Sequence, residues 1–262
     1  MRRGSAAACL LAAALAWSPA PAQERGIALE KLRSGSAFLG ADLRALQADD
    51  FANPGMLWVE RGEKLWSQPA GKNARSCASC HQDAEASMRG VAARYPKVDP
   101  ASGKLLDLEG RINLCRAERM GAEALRRESE ELLALSAYLA RQSRGEPIRV
   151  EIGGAAQSHF ESGRAFYYRR HGQLNLSCAH CHEQNWGKRL YAETITQGHP
   201  NAWPAYRMEW QTLGSLERRL RACLSGIRAE MLPYGASQYL DLELFLAWRA
   251  QGLPVEAPGV RR

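Results

Sequence analysis

The sequence predicts a mainly α-helical protein of two tandem units behind an N-terminal extension. Three observations lead there. A short cysteine–histidine motif occurs twice, as SCASCH ending at His81 and SCAHCH ending at His182. Each copy follows a helix-like aromatic stretch and precedes an apolar run at helical spacing. Between the copies, RGEPIRVEIGG at 144–154 gathers Gly and Pro and marks a boundary. The units expected are 61–148 and 149–262, with residues 23–60 as an extension packed on the first unit.

Ahead of the extension, MRRGSAAACLLAAALAWSPAPAQ opens with a basic Arg2-Arg3 pair. An apolar stretch from Ala6 to Trp17 follows, then Ala20-Pro21-Ala22. This is the pattern of a secretory signal peptide, residues 1–22, that is cut away. The apolar stretch is short for a membrane span, and no other segment is apolar for long enough. A periplasmic protein is therefore expected. Cys9 leaves with the leader, and Cys77, Cys80, Cys115, Cys178, Cys181 and Cys223 remain. Loss of Arg2 and Arg3 lowers the formal charge from +7 to +5, so the mature chain stays basic. That balance favours anionic partners or substrates, and in an exported protein it does not point to nucleic acid.

Along the chain, DDFANPGMLW reads as a turn around Asn53-Pro54-Gly55. RGEKLW at 61–66 and ESGRAFYY at 161–168 are the helical stretches before each motif. LLALSAYLARQSRGEP closes the first unit, with Leu132, Leu133, Leu135, Tyr138 and Leu139 on one face. LDLELFLAWRAQGLP closes the second, with Leu240, Leu242, Leu244, Phe245 and Trp248 in the same role.

Each motif is C-x-x-C-H, the attachment signature of c-type haem. Two thiols add across the two vinyl groups of the porphyrin, and the adjacent imidazole turns back to the iron. Cys77, Cys80 and His81 would serve one haem, and Cys178, Cys181 and His182 another. A zinc site or a redox dithiol competes, but zinc would not require the fifth-position histidine twice. Helix, signature, loop, ligand segment and closing helix make the plan of a small cytochrome c domain. There the haem supplies much of the core. Two covalently bound haem c groups in two tandem cytochrome c-like domains are expected.

The second axial ligand is open from the residues. Methionine is common in small cytochromes, and Met88, Met120, Met208 and Met231 lie downstream of the signatures. The repeat offers cysteine instead. Cys115 lies 34 residues after His81, and Cys223 lies 41 after His182. Each has an arginine four residues earlier, Arg111 and Arg219, one helical turn away. A nearby cation favours thiolate, a soft and strongly donating ligand. Two buried thiols, or a disulfide between them, is the remaining reading. Arg218, Arg221 and Arg228 have a bland reading as a solvated helix face. His199, in the loop TQGHPNAWPAY, is a weak candidate to flank the second haem.

Taken together, these segments resemble the SoxA family, the larger subunits of the SoxAX cytochromes of bacterial sulfur oxidation. DDFANPGMLWVERGEKLW, LEGRINLCR, NLSCAHCH, TLGSLERRLRACLSGIRAEMLPYG and LAWRAQGLPVEAPGVRR carry the resemblance, which spans essentially the whole mature chain. Both haem signatures are kept, so the resemblance implies the dihaem form.

It further implies His81 and Cys115 as axial ligands of the first haem, and His182 and Cys223 of the second. The second haem is implied to be catalytic, with Cys223 carrying an extra sulfur as a persulfide. Arg219 matches the substrate-binding arginine, and Arg249 is a less secure addition to the same positive pocket. The implied activity is that of an L-cysteine S-thiosulfotransferase, which joins thiosulfate to a cysteine thiol of a SoxYZ-type carrier. Two electrons leave through a SoxX-type monohaem subunit to an acceptor cytochrome c. The alternatives are a thiosulfate dehydrogenase forming tetrathionate and a non-catalytic dihaem electron-transfer cytochrome.

Overall fold

The computed structural model describes residues 26–262; the expected signal peptide lies outside them. Each unit is built on one crossed pair of helices. In the first, α2 (Met56–Ser67) packs on α6 (Glu130–Arg141). In the second, α7 (Gln157–Tyr168) packs on α10 (Ser237–Arg249). The crossings need a glycine. A Cβ at Gly62 would strike the Ala134 carbonyl of α6, and one at Gly163 would strike the Asp241 carbonyl of α10. Gly62 and Gly163 both stand 15 residues before the first cysteine of their signature. The repeat thus extends to the backbone contact that joins the helices.

Most residues of the two expected apolar faces are buried, while Tyr138 and Leu240 are half-buried. Leu132, Leu133, Leu135 and Leu139 are buried in α6, as are Leu242, Leu244, Phe245 and Trp248 in α10. Phe160 sets its ring 5.0 Å from Trp248 and 5.6 Å from Phe245. Burying such side chains is worth about 1.5–3 kcal/mol each, which makes this helix pair the main anchor of the second unit.

The chain begins with α1 (Ala41–Ala48) and the turn that launches α2. In that turn the Asn53 carboxamide oxygen accepts the Gly55 N–H at 2.9 Å. The helix that opens the first unit therefore starts at Met56, before residue 61. Short helices α3 (Ala78–His81) and α4 (Ala84–Ser87) follow, then the two-residue hairpin of β1 (Lys97–Val98) and β2 (Leu105–Leu106). Next comes α5 (Leu108–Cys115), which runs into a wider, π-type turn over Arg116–Met120.

The second unit has α8 (Cys178–His182), a hairpin of β3 (Arg189–Leu190) and β4 (Glu193–Thr194), and α9 (Leu216–Gly226). A three-stranded sheet completes it. Central β5 (Ala205–Arg207) pairs antiparallel with β6 (Thr212–Gly214) and parallel with β7 (Gly259–Arg261).

The extension meets both units: its Val59 packs with Leu133 and Ala137 of the first. It also meets the first unit through Asp50, which pairs with Arg141 and Arg144. Most of its buried polar contacts go to the second unit. Gln47 accepts the Val260 N–H of β7 at 3.1 Å, and Asn53 donates to the Pro258 carbonyl at 2.9 Å. Arg33 N–H donates to Gln197 Oε1 at 2.8 Å, and Gln197 returns a bond to the Lys31 carbonyl. The reason is polar satisfaction. Gln47 and Asn53 are buried, and the outer edge of β7 offers them backbone partners. The boundary stretch is likewise held down, since Ile148 N–H donates to Leu253 and Gly252 N–H returns to Ile148.

Candidate haem sites and anion site

In the second unit, one short helix carries Cys178, Cys181 and His182. Ser177 caps it together with His180, whose Nδ1 lies 2.6 Å from Ser177 Oγ. The His182 Nδ1–H donates to the Thr196 carbonyl at 2.8 Å. That bond fixes the tautomer and leaves Nε2 with a free lone pair, as an iron ligand requires. Burial pushes the His182 imidazole down to about 4, against the Thr196 bond and helped by Arg249 and Arg219, so the ring is neutral. Gly198, at φ +73°, presses on the ring: a Cβ there would lie 2.8 Å from His182 Cγ. The TQGHP loop does meet the signature histidine, through Thr196 and Gly198. His199 is turned inward, with Nε2 3.1 Å from Gln197 Oε1.

Arg249 stands behind this loop. Its side chain is fully buried, donates to the Gln197 carbonyl at 3.0 Å and lies 3.5 Å from Glu183. Its guanidinium also stacks 4.6 Å from the Tyr167 ring centre. It braces the loop, and its charge reaches His182.

The thiols converge as the repeat predicts. Burial raises Cys178 to about 12, and the neighbouring Cys223 adds to the rise. Cys181 is raised by burial and by Cys223 as well. In the first unit, burial raises Cys77, with Arg116 opposing and Cys115 adding. So each downstream cysteine stands beside its own signature. All six described cysteines are free thiols, so Cys115 and Cys223 are not joined to each other. Among the described residues no three His, Cys, Asp or Glu side chains converge to hold a bare metal ion. Met88 and Met120 are core residues, and Met208 and Met231 are exposed. The residues fit haem c: paired thiols on one turn, and a histidine with a fixed tautomer. His81 is the less supported histidine; it is exposed and packs 5.8 Å from Trp66.

Burial raises the Cys115 thiol, and Arg111 beside it opposes the rise. Arg111 donates to Asp99 Oδ1 at 2.6 Å and to the Tyr95 hydroxyl at 3.2 Å. Ser102 and Arg111 together hold the Asp99 carboxyl down at about 2. Arg218 stacks 4.2 Å from Trp210 and lies 3.8 Å from Glu128, and Arg221 stacks 4.3 Å from Tyr234. These two are structural rather than a merely solvated face. Arg219 is half-buried, its charge reaches His182, and its guanidinium has no hydrogen bond, ion pair or ring contact among the described residues. A cation left without a partner beside Cys223 is a ready anion site.

The SoxA/TsdA cytochrome c domain family matches residues 61–148. The L-cysteine S-thiosulfotransferase subunit SoxA of Pseudaminobacter salicylatoxidans is 43% identical, over 87% of this chain and 80% of its own. The chain belongs to the SoxA family. SoxA of Rhodovulum sulfidophilum is 40% identical, over 88% of this chain and 81% of its own. A crystal structure of SoxXA from P. pantotrophus superposes with a TM-score of 0.85 at 40% identity, covering 88% of this chain and 87% of that one. Family membership makes this a cytochrome that uses haem c. Among the described residues no helix is long and apolar enough to cross a membrane.

Sequence reasoning missed Thr196 and Gly198 as the support of His182, and Asp99 as the partner of Arg111. Gly198-His199-Pro200 carried a turn signal, but nothing local says which side chain a turn will touch. Asp99 stands in a Pro-Lys-Val-Asp-Pro stretch that reads only as loop.

Proposed function

We propose that this chain, paired with a SoxX-type monohaem subunit, couples thiosulfate to a cysteine thiol of a SoxYZ-type carrier. The observation that carries the reading is Arg219, a cation without a partner among the described residues, one turn before Cys223 and within reach of the signature histidine. The overall change forms an S–S bond between the carrier cysteine and the sulfane sulfur of thiosulfate. It breaks the carrier S–H bond and releases one proton and two electrons. The product is a cysteine S-thiosulfonate.

Two covalently attached haems belong to this reading: Cys77 and Cys80 would hold one, with His81 and Cys115 as its iron ligands, and Cys178 and Cys181 would hold the other, with His182 and Cys223 as its iron ligands. The units are read as 61–148 and 149–262, behind a periplasmic signal of residues 1–22 and an extension 23–60 whose last residues, Met56–Glu60, begin the helix that opens the first unit. When bound, the haems supply the outlet for the two electrons, toward the SoxX-type subunit and an acceptor cytochrome c. The chain's own residues do the rest. Arg219 offers the thiosulfate dianion charge-assisted hydrogen bonds and holds it beside Cys223. Cys223, as a persulfide, extends its sulfur toward the substrate. Thr196 keeps the proton of His182 on Nδ1, and Arg249 keeps that loop in place.

Intact mass after maturation tests this. Two haems per chain, and one extra sulfur on the peptide containing Cys223, are expected. A chain whose Cys223 never carries added sulfur would contradict the persulfide, and rapid tetrathionate formation without carrier would contradict carrier loading.

A further inference from the structure

Residues 125–128, between α5 and α6, touch both helices that end in the downstream cysteines. Leu125 and Asn113 exchange two hydrogen bonds, at 2.8 and 2.9 Å, near the end of α5. Arg127 grips the Asp107 carboxylate with both guanidinium ends, at 2.6 and 3.0 Å. That same carboxylate caps α5 by accepting the Gly110 N–H at 2.7 Å. Arg127 Nη1 also reaches Glu109 Oε2 at 3.4 Å and, across the unit boundary, Glu217 Oε2 at 3.1 Å. Glu109 and Glu217 hold matching places in the first turns of α5 and α9. Glu217 in turn accepts the Gly235 N–H ahead of α10 at 2.6 Å. Glu128 completes the bridge by accepting the Ser215 N–H at 3.2 Å, at the N-cap of α9.

The geometry is specific. Glu128 adopts φ +62°, a left-handed conformation uncommon for glutamate. That turn lets consecutive side chains serve both helices. The cluster is also buried, with the Arg127 side chain 17% exposed and that of Glu217 2%. A single guanidinium therefore holds three acidic side chains from two helices in a buried cluster, where burial pushes Glu109 and Glu217 toward their neutral forms. Each helix is a short rigid rod, so moving its first turn moves the cysteine near its other end.

We propose that residues 125–128 form a strap that positions the two downstream cysteines jointly. Arg127 sets α5 and α9 together, Asn113 serves α5 alone, and Glu128 serves α9 alone. The proposal rests on the reading of Cys115 and Cys223 as ligands of two haems. None of these residues touches the reacting atoms, so they are positioning residues.

Low-spin EPR of the mature full-length chain in its complex with the SoxX-type subunit tests it. Arg127→Gln is expected to shift the signals of both haems of this chain, and Arg127→Lys to restore part of the shift. Glu128→Gln is expected to move the second haem's signal only, and Asn113→Ala the first's only. A merely stabilising cluster would lower the melting temperature and leave all signals in place. If Arg127→Gln does not accumulate, the two selective variants decide, and loss of that selectivity overturns the strap. Wild-type protein with fewer than two haems, or without thiolate-type signals, breaks the ligand reading and the strap with it. Two thiolate-type signals that Arg127→Gln leaves unmoved overturn the strap alone.

Discussion

The helices α5 and α9 carry the same Arg-x-x-x-Cys pattern and are built into different surroundings. Both begin with an oxygen cap, Asp107 or Ser215, and place a buried glutamate in the first turn. Both bring a cysteine beside a haem signature. They part at the arginine. Arg111 is held by Asp99 and Tyr95, whereas Arg219 has no partner among the described residues. The histidines differ in the same direction. His182 is oriented by Thr196 and pressed by Gly198, and His81 is exposed. A motif repeated within one chain can thus carry a paired arginine in one copy and, among the described residues, an unpaired one in the other. What decides is the partner that the intervening loop supplies.

The largest expected effect separates the cysteines. Cys223→Ala should cut carrier coupling by more than about a thousandfold, as removal of a reacting group does. Cys115→Ala should leave turnover within about tenfold. Steady-state rates on haem-loaded variants check this, and equal losses would erase the distinction.

The arginines come next. Arg219→Gln should cost about 1.5–3 kcal/mol of anion binding, a rise of roughly 10- to 100-fold in KM for thiosulfate. Arg111→Gln should lower the melting temperature and leave KM unchanged.

Much of this contrast was legible in the sequence, and its cause was not. The duplicated signatures, the helix before each signature, the closing helix after it and the paired Arg-x-x-x-Cys segments follow local spacing, so they could be read directly. The pairing of Arg111 with Asp99 could not, because a loop carboxylate finds its partner only when the chain folds. Gln47 and Asn53 gave no sign that the extension would seek the edge of β7 in the second unit. Nor could residues 125–128 be singled out, since their partners come from two helices far apart in sequence.

A smaller effect sharpens the histidine difference. Gly198→Ala forces a side chain onto the His182 ring and into a left-handed backbone, at a cost of about 1–3 kcal/mol. Thermal unfolding should show the loss, and, on the dihaem reading, the visible spectrum of the haem proposed for Cys178 and Cys181 should move while the other's stays.

The smallest effect is acid stability. The Asp99 carboxyl titrates near 2 in the folded chain, against 3.8 for an unperturbed one. Its stabilising contribution is therefore complete above about pH 4 and lost as pH falls through 2. Asp99→Asn should flatten that part of the stability profile, measured by denaturant midpoint against pH. It should also release Arg111, and a second, weaker thiosulfate site detected by calorimetry would follow.

The most direct test is thiosulfate KM measured side by side for Arg219→Gln and Arg111→Gln, with haem content verified in both. The account predicts a rise of at least about tenfold for Arg219→Gln and none for Arg111→Gln. An unchanged KM in Arg219→Gln, or equal rises in the two variants, would contradict it.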